Sequence, residues 1–68
     1  MIKNNIYKII IKTTKETNYI KYDGEQYGKH FFEDEHGRYR GIETKKIKVI
    51  EELTQEDWAR IKLNYTQY

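Results

Sequence analysis

The 68-residue chain predicts an α+β domain: a small antiparallel sheet of four or five strands, curled towards a partial barrel, followed by one C-terminal α-helix. Three observations predict it. Upstream of residue 53 the apolar residues are mostly Ile and Tyr, set in short clusters with period-two alternation, which suits a pleated and half-buried backbone. Turn signals at Asp23-Gly24 and at Asp34 to Gly37 divide those clusters into segments of strand length. Leu53 to Tyr65 then switches to helical spacing behind a readable start.

The first strand is expected at about residues 5–13. Tyr7, Ile9 and Ile11 alternate with Ile6, Lys8, Ile10 and Lys12, so both faces are partly apolar, and the strand belongs in the middle of a sheet or in a strongly curled one. Lys15-Glu16-Thr17 reads as a turn. Strands at 18–22 and 25–33 flank Asp23-Gly24, because Asp-Gly between strands favours a type I′ turn, which needs positive φ at both positions. That hairpin opposes Tyr22 to Glu25 and Ile20 to Tyr27. Ile20, Tyr22, Tyr27 and Phe31 then form the core face.

Asp34-Glu35-His36-Gly37 reads as a type I turn closed by a left-handed glycine. It opposes Phe32 to Arg40 and Glu33 to Tyr39, starts a strand at 38–43, and adds Tyr39 to the core face. A one-residue slip exchanges the two faces. Gly41 suggests a bend, Thr44-Lys45-Lys46 a corner, and 47–52 a last strand.

The helix is expected at 55–65. Thr54 is the N-cap and Asp57 completes a capping box, while Leu53 and Trp58 have the spacing of a hydrophobic staple. Trp58, Ile61 and Tyr65 share a face and need an apolar surface beneath them.

Composition narrows the function classes. One domain spans 1–68, and a chain this short builds only a small core. Cysteine is absent, which removes disulfides and thiolate metal sites and fits a reducing compartment. No apolar run is long enough for a bilayer, and the start lacks a signal-peptide pattern. The expectation is a complete, cytoplasmic protein, in the host cytoplasm if a phage encodes it. The net charge of +2 is far from the footprint of a dedicated DNA binder, although residues 1–32 carry six lysines against three acids.

Glu33, Asp34, Glu35 and His36, with His30 nearby, could in principle ligate a cation or form an acid–base pair. Their spacing matches no calcium loop, and a solvated turn is the simpler reading. No nucleophile–histidine pair or glycine-rich phosphate loop is present, so no catalytic residue, metal or cofactor is expected. Lys45, Lys46 and Lys48 are flanked by Glu43, Glu51 and Glu52 and read as a mixed, solvated edge.

The face opposite the expected core gathers Tyr19, Lys21, His30, Phe32, Arg38 and Arg40. Aromatics among cations suit a protein hot spot and also suit single-stranded nucleic acid. In a competing arrangement the helix covers this face and makes Phe32 and Ile42 core. The leading expectation is a non-enzymatic protein-binding module. Its small size and AT-rich residue usage suggest a phage or mobile-element inhibitor that occludes a larger host protein, as anti-defence proteins do. Nucleic-acid binding and a homo-oligomer subunit are the alternatives.

Overall fold

A computed structural model of the chain describes residues 1–66. Five strands and one helix follow in order: β1 (Ile6–Ile11), β2 (Glu16–Gln26), β3 (Lys29–Asp34), β4 (Tyr39–Glu43), β5 (Ile47–Leu53) and α1 (Gln55–Thr66). A single 3₁₀ turn, Thr44–Lys46, joins β4 to β5. All pairings are antiparallel, and the strand order is β4-β3-β2-β1-β5. The α+β expectation therefore holds, with five strands, and the sheet stays open.

The order forces the sheet to curl. Four gaps of roughly 4.8 Å separate β4 from β5 in a flat sheet, about 19 Å in all. Three residues of 3₁₀ helix advance only about 6 Å. The terminal strands can be joined so briefly only if the sheet rolls its edges towards each other. Rolling lets the sheet act as its own packing partner. The core cluster draws on all five strands: Tyr7 and Ile9 from β1, Ile20 and Tyr22 from β2, Phe32 from β3, Ile47 from β5, and half-buried Ile42 from β4.

The β2–β3 hairpin departs from expectation. Its two-residue loop is Tyr27-Gly28, with φ of 55° and 71°, between paired Gln26 and Lys29. Both residues lie in the left-handed region that a type I′ turn requires. Asp23-Gly24 instead lies within β2, where the register slips between Tyr22 and Gly24 and leaves Asp23 as the extra residue of a bulge. Moving the turn alone shifts partners by whole pleats and keeps the faces. The extra residue at Asp23 reverses them. Tyr22 now opposes Phe32, and Ile20 opposes Asp34. Phe32 is fully buried, whereas Tyr27 and Tyr39, both expected in the core, are 87 % and 62 % exposed. Tyr22 and Trp58 are buried as expected, and Tyr7 is buried with them.

The second turn matches its sequence signal. Gly37 has φ of 80°, its N–H reaches the Asp34 carbonyl at 3.0 Å, and Phe32 pairs with Arg40 and Glu33 with Tyr39. Gly41 lies inside β4 because the Phe31 ring rests on it. A methyl group added there would sit 2.5 Å from Cε1 of that ring.

The helix start is the expected capping box. The Thr54 hydroxyl accepts from Asp57 N–H at 3.1 Å, and the Asp57 carboxylate accepts from Thr54 N–H at 3.0 Å. α1 lies on the outer face of the sheet, the side away from the core cluster. It runs from Asn4, whose carbonyl accepts from Gln55, to the β3–β4 turn, where Tyr65 meets the His36 ring edge-on. Beneath it lies the cross-strand row Leu53, Ile6, Lys21 and Glu33. Ile6 is fully buried, and Lys62 of the helix bonds Glu33 at 2.6 Å. The helix thus covers the Tyr19 and Lys21 side. Phe32 and Ile42 are core because the sheet curls, and no helix lies over them.

Candidate interaction surface

The six residues expected to share a face are divided among three places. Tyr19 and Lys21 lie half-buried on the outer face. Tyr19 borders a groove with Leu53, Ile61 and Tyr65, and the Lys8 ammonium sits 5.9 Å above its ring. His30, Phe32 and Arg40 belong to the inner face. His30 Nδ1 and the Tyr22 hydroxyl share a hydrogen bond of 2.7 Å. Arg40 donates to Glu16 at 3.0 Å and holds that carboxyl below its usual range. Phe32 has no exposed surface to offer. Arg38 is exposed at the end of the β3–β4 turn, with its guanidinium on Asp34 at 3.0 Å. The bulge at Asp23 accounts for the split. It turns β3 and β4 over relative to β2, so residues expected on one side fall on both.

The acidic turn is also more buried than expected. Asp34 is fully buried, and its carboxylate accepts from the backbone N–H of His36 and Arg38 and from the Arg38 side chain. Glu35 is 3 % exposed and accepts from Asn18 and from Tyr19 N–H, both at 2.6 Å. There the Glu35 carboxylate supplies an acceptor to β2 just past the point where β3 ends. These carboxylates hold the turn in place. Among the described residues no group of three or more His, Asp or Glu side chains is placed to hold a metal ion.

A different surface stands out on the outer face, beyond the reach of α1. Even-numbered residues of β1 face outward, as does Lys48, the cross-strand partner of Ile10. Ile10, Lys12, Lys15, Lys48 and Ile50 line an open groove of about 670 Å³, and Ile50 is 47 % exposed. Among the described residues no acid lines this groove. The edge lysines expected to act alike are in fact distinct. Glu43 takes Lys46 at 2.9 Å and Lys45 at 3.6 Å, whereas no salt bridge among the described residues reaches Lys12, Lys15 or Lys48. Comparison with protein-family models, with curated proteins and with solved structures finds no match.

The signal for this surface was present in the sequence as the Ile-Lys alternation of β1 and the excess of lysine before residue 33. What hid it was that β1 buries both of its faces only in part. Where α1 stops along the outer face decides which outward residues stay uncovered, and the strand's own pattern carries no mark of that point.

A second exposed group lies at the other end of the outer face. Tyr39 stacks on Phe31 with ring centroids 6.2 Å apart, and its hydroxyl donates to Asp23, which holds the phenol proton more tightly than usual. Tyr27, at the hairpin tip, is the most exposed large hydrophobic residue described.

Proposed function

We propose that the chain is a small non-enzymatic protein-binding module that engages an acidic surface of a larger protein through the outer face of β1 and β5. One observation carries this reading: Ile10 and Ile50 line one groove with Lys12, Lys15 and Lys48, and among the described residues no carboxylate pairs with those lysines. An apolar centre within a charged rim is the general anatomy of protein interfaces. Cations left without counter-charges also steer an acidic partner onto the patch. The aliphatic centre favours a protein side chain over a nucleobase, which stacks best on aromatic rings. The finer suggestion of a phage or mobile-element inhibitor that occludes a host protein rests on size and composition.

Affinity capture from lysate, with wild type and a Lys12→Glu/Lys15→Glu variant side by side and with and without nuclease, tests the reading. The expected outcome is a protein that survives nuclease treatment with wild type and is lost with the variant. Loss of all captured material on nuclease treatment would instead identify the face as a phosphate binder. Equal capture by the variant would remove this face from the site.

A further inference from the structure

We propose that the chain also self-associates, by antiparallel pairing of β5 with β5 of a second copy around a two-fold axis between Val49 and Ile50. The seam shares Lys48 and Ile50 with the groove proposed above but rests on a separate observation, the unpaired edge of β5. β5 is a terminal strand of the sheet, and among the described residues only β1 pairs with it. No backbone hydrogen bond outside that ladder reaches residues 47–53 among the described residues. Val49 and Ile50 are 44 % and 47 % exposed. An unpaired edge of this kind is a template for another strand.

The register comes from the bulge. Val49 opposes Ile9 and Glu51 opposes Lys8, so Ile50 is the extra residue. Across it the alternation of faces resets. Lys48 and Glu51 both face outward, opposite Ile10 and Lys8, while Ile47 and Glu52 both face inward, opposite Ile11 and Tyr7. In an unbulged strand, an axis between two residues would set inward side chains against outward ones. Here the reset makes that axis consistent for the pairs that flank the bulge, Lys48 with Glu51 and Ile47 with Glu52. Lys48 then meets Glu51 of the second copy, twice by symmetry, on one face. On that face Ile50 of each copy, which lines the outward groove, lies between the two ion pairs, while Val49, opposite Ile9, lies on the inner side of the seam. Such an interface is isologous and closes at two copies. It would also join the two lysine-rimmed grooves into one longer cationic face. The competing role for the bulge is to roughen the edge against pairing.

Sedimentation equilibrium decides between these roles, with a series from roughly 5 to 500 µM spanning the range expected of a small, transient interface. The expected result is a mass rising from 8.4 kDa towards twice that value. Lys48→Glu and Glu51→Lys, each at an exposed position, should hold the mass at the monomer value. The Lys48→Glu/Glu51→Lys double variant restores opposite charges and should recover the dimer. A wild-type mass fixed at 8.4 kDa would overturn the proposal. So would a dimer insensitive to the two single changes, or a double variant that stays monomeric.

Discussion

Asp34 shows how much one side chain contributes to a small domain. Its carboxylate is fully buried and accepts two backbone N–H groups and the Arg38 guanidinium, so it fixes the turn and the start of β4 together. Asp34→Ala leaves those backbone donors without their acceptor and should cost about 2–3 kcal/mol in urea unfolding. An unchanged midpoint would mean that water replaces the carboxylate without loss. His30 is the titrating counterpart. Burial lowers its pKa below the usual histidine value, and its ring is hydrogen-bonded to Tyr22, whose own pKa burial raises. Between the folded and unfolded pKa values the unfolded chain binds a proton that the folded chain refuses. Stability should therefore fall as pH drops below about 6.5. The lowered carboxylates, such as Glu16 beside Arg40, act at lower pH and leave this window clear. The urea midpoint should be lower at pH 5.5 than at pH 7.5, with a smaller difference in His30→Gln.

At the scale of elements, legibility followed how local each signal was. The capping box of α1 and the Asp34–Gly37 turn are encoded within four residues each, and both form as read. The β2–β3 hairpin turns at Tyr27-Gly28 and not at Asp23-Gly24, although Asp-Gly is the better turn former in isolation. Tyr27 must adopt φ of 55° without glycine's freedom. The placement that wins brings Tyr22 over Phe32 and lets β2 run long enough to curl, a long-range gain that no short window contains. The same bulge scattered the expected six-residue face, since Phe31 and Phe32 are equally apolar and only the register chooses between them. Tyr27→Asn supplies the residue that a type I′ turn prefers and should raise stability by about 0.5–1 kcal/mol, read as a higher melting temperature. A lower value would mean that the Tyr27 ring makes a stabilising contact despite its exposure.

The whole molecule divides its sheet unequally. Curling buries the inner face without help from the helix. α1 is therefore free to cover one end of the outer face, over Ile6, Lys21 and Glu33, and it leaves the other end to Ile10, Ile50 and the lysines. That division links the fold to the proposed function, because the uncovered end is where the Ile10–Ile50 groove meets lysines that no salt bridge among the described residues reaches. No helix among the described residues is long and apolar enough to cross a membrane. Lysine-reactivity footprinting of the protein alone and in complex with a captured acidic partner tests this division most directly. Protection confined to Lys12, Lys15 and Lys48 is the expected result. Protection centred on Lys3, Lys29 or Lys45, with the groove lysines left fully reactive, would contradict it.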